Sequence, residues 1–129
     1  MEFLYCLANA SLTQRILNYL LRMLRSYVNC VTVIFLNDRW VLRLKLDRSL
    51  DSELCEDCWA FLSENGLPYH PPPNVSLALK ELDAGQALTK VMNRHHVAIV
   101  SHGEPNPGEV ECFQEQFVAG LGYCPQSLV

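Results

Sequence analysis

The sequence has no uninterrupted run of about 18 apolar residues, the length that a membrane-spanning helix needs. We therefore expect no membrane span. It also lacks a glycine-rich phosphate loop, since only six glycines occur in 129 residues, and it predicts no cofactor. The formal net charge of -4 opposes nonspecific attraction to a phosphate backbone, so nucleic acid is not the expected partner.

The N-terminus lacks the pattern of a secretory signal, because Glu2 stands where a basic residue belongs and the apolar run is short. Without such a signal we expect an intracellular protein, cytoplasmic or nuclear, with reduced cysteines. The cysteines occupy positions 6, 30, 55, 58, 112 and 124. The only CxxC pair, Cys55 and Cys58, falls on the apolar stripe of a predicted helix, which opposes a redox role. No second Cys/His pair has zinc-site spacing, so no metal is predicted.

The stretch from Val31 to Asp47 can be paired with itself as an antiparallel hairpin. With Asn37 and Asp38 as a two-residue turn, Phe35 faces Trp40. Period-2 alternation then collects one apolar set on one face of the hairpin. That set is Val31, Val33, Phe35, Trp40, Leu42, Leu44 and Leu46. A slip of one residue would destroy this sorting, so the pattern and the turn predict the same register.

The second face of the hairpin mixes apolar and charged residues, with Ile34 and Val41 next to Arg43. Such a mixture is typical of an interface, which has an aliphatic centre and an arginine rim. We therefore predict that Ile34, Val41 and Arg43 bind a partner or a second copy of the chain. The alternative is that a later helix covers this face while the charged heads reach water.

Apolar residues at helical spacing predict four helices, near 11–28, 49–64, 84–94 and 107–120. Ser11 and Asp83, each followed three residues later by Gln, are the predicted caps of the first and third. A short apolar run at 96–101 predicts a further strand. Residues 75–82 stay open between strand and helix, because they alternate but contain good helix formers.

These elements predict a single α/β (α+β) domain over residues 1–129. Its mixed sheet is built on the 31–47 hairpin plus strand 96–101, packed by about four helices. The predicted first helix contains the LxxLL pattern of a docking motif, Leu17 to Leu21. We interpret these leucines as core residues, because they form the apolar stripe that can bury the hairpin.

The loop from Ser101 to Asn106 is the best candidate for a small-molecule site, because it leaves an apolar strand and enters a helix N-terminus. Ser101 and His102 are the candidate catalytic residues, with His102 as acid or base, and His102 and Asn106 are candidate binding residues. The string from Ile99 to Glu104 resembles the strand and loop that carry the catalytic histidine of caspases. The Gln-Ala-Cys-x-Gly motif of that family is absent, so this resemblance implies no protease.

A longer stretch, about 40 to 112, contains the strand RWVLRLKL, a helix ending in FLSENGLPY, and LALKELDAGQALTKVMNRHHVAIVSHGE before a turn into EVECF. This order of elements resembles the anticodon-binding-like domains of class II aminoacyl-tRNA synthetases. The resemblance implies an α/β sandwich and a role in binding protein or nucleic acid.

The sequence therefore favours a non-catalytic protein-interaction or assembly module, which either self-associates or joins a protein partner. One alternative is a small-molecule-binding protein or hydrolase-like enzyme that uses the Ser101 to Asn106 loop. The second alternative is a nucleic-acid-binding accessory domain.

Overall fold

The computed structural model describes residues 1–129, which form five strands and five α-helices. The strands are β1 (Glu2–Leu7), β2 (Val28–Leu36), β3 (Arg39–Leu46), β4 (Leu67–Pro68) and β5 (Ala98–Gly103). The helices are α1 (Ala10–Met23), α2 (Ser52–Asn65), α3 (Pro73–Asp83), α4 (Leu88–His95) and α5 (Pro107–Leu121). The predicted α/β class is confirmed.

The predicted hairpin is present, and its register is the one that alternation requires. Phe35 pairs with Trp40, and Val33 pairs with Leu42. Both turn residues have positive φ, 53° at Asn37 and 59° at Asp38. Two consecutive left-handed residues make a type I′ turn, whose twist matches that of the two strands.

The sheet has the order β4-β1-β3-β2-β5, and every neighbouring pair is antiparallel. The predicted mixed sheet is therefore wrong in its strand directions. The predicted sheet also lacked β1, and every residue of β1 pairs with β3. The strand predicted at 96–101 lies two residues later, at Ala98–Gly103.

Helices cover both faces of the sheet. The face that carries Trp40 packs against α1, α2 and α5 in a cluster of 20 buried residues. The other face packs against α3 and α4 in a smaller cluster of 9. The result is a three-layer sandwich in which the central strands β2 and β3 lose access to water on both sides.

The second face of the hairpin is thus not an open surface, and the predicted binding role of Ile34, Val41 and Arg43 is wrong for the folded chain. All three side chains are buried. The alternative is confirmed: α3 and α4 lie over this face, and Ile34 and Val41 belong to the cluster that these helices complete.

Two predicted helix caps are wrong, and the segment left open between strand and helix is a helix. Helix α1 is capped by Asn9, whose side chain accepts a hydrogen bond from the Leu12 N–H at 2.9 Å, and not by Ser11. Residues 75–82, left open above, lie within helix α3, which begins with Pro73 at its first position. Asp83 ends α3 and does not cap α4, because α4 begins only at Leu88 and Ala87 is its N-cap. The Asp83 carboxylate binds Arg43 and Lys45 of the sheet instead.

Two of the three leucines of the LxxLL pattern are core residues, as interpreted above, and the third, Leu21, is half-buried. Leu17 and Leu20 are fully buried in the larger cluster. Docking on a partner would require α1 to leave the sheet. No helix in the structure is both long enough and apolar enough to cross a membrane.

Candidate binding groove at the edge of the sheet

Strand β5 ends the sheet on one side, so its outer edge has no neighbouring strand. Its main chain pairs with β2 on the inner side only, and no other main-chain hydrogen bond in the structure involves it. The edge therefore presents unpaired N–H and C=O groups, which favour the addition of another strand. Strand β5, AIVSHG, contains no proline, lysine or acidic residue that would blunt this edge, although a β-bulge at Val100 interrupts its pairing with β2.

A cavity of about 310 Å³ lies along this edge and is lined by Val100, Ser101 and His102. Val100 is an extra residue of β5 at a β-bulge, because Val33 pairs with Ser101 and Ile34 with Ile99. Val100 and Ser101 lie on the face of the larger cluster and His102 lies on the other, so a cavity that touches all three reaches β5 at its side or its carboxyl end. The helical layers supply the remaining walls, Leu88 from the start of α4 and Glu109 from the start of α5. We call this cavity the β5 groove.

The predicted loop forms one end of the β5 groove, through Glu104, Pro105 and Asn106. Asn106 precedes α5 but makes no side-chain capping hydrogen bond, so its amide remains available. Ser101 is only 8% exposed, but its hydroxyl oxygen is not among the buried side-chain atoms that lack a partner, so solvent reaches it. The Ser101 hydroxyl can therefore exchange a hydrogen bond to water for one to an occupant of the groove.

His102 is held from the opposite side by a chain of polar residues. Arg43 Nη2 donates to Thr32 Oγ1 at 3.1 Å, and Thr32 Oγ1 lies 2.7 Å from His102 Nδ1. The Thr32 hydroxyl is then free to donate to Nδ1, which leaves the ring proton of a neutral imidazole on Nε2. Arg43 itself is anchored by both carboxylate oxygens of Asp83, at 2.9 and 2.8 Å.

Burial lowers the pKa of His102 below its ordinary value. The positive charges of Arg43 and Lys45 lower it too, against the opposing effect of Asp83. The ring is therefore uncharged at neutral pH. The network thus presents a fixed, neutral imidazole to the β5 groove.

The candidate catalytic residues do not form a nucleophile and base. Ser101 pairs with Val33 of the large core face, whereas His102 pairs with Thr32 on the α3 side, so the two side chains point apart. The nearest thiol to the imidazole is that of Cys30, whose Sγ lies 3.6 Å from Nδ1. That nitrogen is already engaged by Thr32, and the hydrolase-like alternative therefore gains no support from this geometry.

Cys30 and Thr32 are site residues that the sequence analysis did not identify. The hairpin register places both on the second face, but their contact with His102 depends on the pairing of β2 with β5. No sequence pattern specified that pairing. No cluster of three or more His, Cys, Asp or Glu residues could hold a metal ion.

Neither a protein-family model nor a curated protein sequence matches the chain. Among solved structures, the C-terminal domain of YpbH is similar, with a TM-score of 0.50 and 16% sequence identity. The match covers 89% of this chain and 97% of that chain. At this identity the likeness concerns the fold alone. The resemblance of residues 40–112 to anticodon-binding-like domains stays a prediction.

Proposed function

We propose that this protein is a non-catalytic protein-interaction module that binds an extended segment of a partner along the outer edge of β5. The observation that supports this most directly is the β5 groove, which lies beside an edge strand with unpaired main-chain groups. In strand addition, main-chain hydrogen bonds supply affinity, and pockets for alternate side chains supply specificity. Ser101, His102 and Asn106 are among the polar groups that the groove offers to such a segment.

The rest of the fold suits this role. Strand β5 is held by β2 and lies against α4 and α5, so a rigid scaffold presents its free edge. A rigid edge lowers the entropy that must be lost when a flexible segment is ordered on it. A site of action inside the cell is part of the proposal, supported by the six cysteines, all of which are free thiols.

Selection from a displayed library of random eight-residue peptides tests this function, because β5 has six residues and an added strand needs about that length. We expect the selected peptides to bind with their main chain paired to β5. Each peptide is then synthesised in two forms, one N-methylated at its odd-numbered residues and the other at its even-numbered residues. Alternate N–H groups of an added strand face the sheet edge, so one form should fail to bind and the other should still bind.

Equal binding by both N-methylated forms would contradict strand addition, and so would a library that yields no binding peptide. The protein alone is examined by sedimentation velocity at the same concentrations. A dimer whose β5 amides are protected from exchange would mean that a second copy occupies the edge, and it would refute the proposal of a separate partner.

A further inference from the structure

The charged side chains that line the β5 groove at neutral pH are all negative. The carboxylates of Glu104 and Glu109 line it, and both residues are exposed to solvent. No lysine or arginine lines the groove. The one other titratable group there, His102, has a pKa held below its ordinary value by burial and by Arg43, so its ring adds no positive charge at neutral pH. The groove therefore attracts cations.

The two carboxylates reach the groove from different elements. Glu104 follows the end of β5, and Glu109 lies in the first turn of α5. A strand added along β5 and continued past Gly103 would run beside the loop that carries Glu104 and the start of α5 that carries Glu109. The uncapped N-terminus of α5 would favour an anion, but two carboxylates already supply that charge.

We propose that the segment bound along β5 is basic, with a lysine or arginine side chain that contacts Glu104 and Glu109. This inference rests on the proposed function and adds the chemistry of the partner. A second copy that pairs through its own β5 does not fit, because AIVSHG contains neither lysine nor arginine. The occupant is therefore a segment of another protein, extended in conformation and positively charged near the α5 end of the groove.

The selected peptides of the displayed library test this charge preference. We expect enrichment of Lys or Arg at one position, and weaker binding of these peptides to a Glu104→Gln/Glu109→Gln variant. Because each exposed ion pair contributes less than about 1 kcal/mol, the loss should be about three- to tenfold. Raising the salt concentration should weaken the wild-type complex but leave the variant complex nearly unchanged.

The matched control is Glu111→Gln/Glu115→Gln. It removes the same number of negative charges, but from two exposed residues of α5 that line a separate cavity. This control should bind the selected peptides as the wild type does, which separates a local contact from the effect of net charge.

The outcomes distinguish this inference from the proposed function. Peptides that bind along β5 without basic enrichment, and equally well to both double variants, would overturn the charge preference and leave strand addition standing. Equal losses in the two double variants would also overturn it. Failure to select any peptide would overturn both.

Discussion

The ion pair between Arg43 and Asp83 is asymmetric, and this asymmetry predicts an order of mutant stabilities. The Arg43 side chain is 2% exposed and the Asp83 side chain is 36% exposed. Asp83→Ala would leave the guanidinium buried with only the Thr32 hydroxyl as acceptor. Breaking a buried pair in this way costs about 3 to 5 kcal/mol. We expect about 3 kcal/mol, the lower end, because water reaches Asp83.

Arg43→Met should cost less, about 1 kcal/mol. It leaves Asp83, which is partly exposed and keeps Lys45 at 2.7 Å, and methionine fills much of the arginine volume. The double variant should therefore be more stable than Asp83→Ala alone, since it no longer contains an unpaired buried charge. Lys45→Met is the matched control, because Lys45 is 30% exposed and contacts the same carboxylate, so its loss should cost less than about 1 kcal/mol.

Urea denaturation at neutral pH measures these free energies of unfolding. Burial raises the pKa of Asp83, but the hydrogen bonds from Lys45 and Arg43 and their charges outweigh it, so the folded pKa is lowered. The stabilisation is therefore complete above the unfolded pKa of about 3.9 and is lost as the pH falls through the folded value. A double variant less stable than Asp83→Ala, or equal costs for the two single variants, would refute the reasoning.

Three other substitutions test the fold. Leu20→Ala should lower the free energy of unfolding by about 3 kcal/mol, because it leaves a buried cavity. Leu21→Ala is the control and should cost less, because Leu21 is half-buried. An unchanged melting temperature for Leu20→Ala would place that leucine at the surface. Val41→Glu should unfold the chain, because it buries an unpaired carboxylate beneath α3 and α4, and a folded variant seen by circular dichroism would contradict this packing. Asp38→Gly should raise stability by about 0.5 to 1 kcal/mol in thermal denaturation, because glycine adopts the positive φ of the turn without strain.

The hairpin could be predicted from the sequence because two independent signals agreed. Alternation fixed which residues share a face, and the turn at Asn37 and Asp38 fixed the register. Strand β1 could not be found in this way. All of its residues after Glu2 are apolar, so odd and even positions do not alternate between apolar and polar. For α3 a signal was present: Pro73 occupies the first helical position, where proline is favoured.

The candidate site was only partly predictable. The loop from Ser101 to Asn106 does line a cavity, as its position between a strand and a helix indicated. The divergence of Ser101 and His102 follows from strand geometry once β5 extends to Gly103, but the predicted strand ended at 101. The interface assigned to Ile34, Val41 and Arg43 failed because composition alone cannot show which helix covers a mixed face.

The central claim, strand addition to β5, is tested most directly by amide hydrogen exchange with and without a saturating selected peptide. The account predicts new protection within Ala98–Gly103, whose outer main-chain groups have no partner in the free chain, and no change in β3, which is already paired on both sides. Protection confined to any other element, with β5 unchanged, would contradict it.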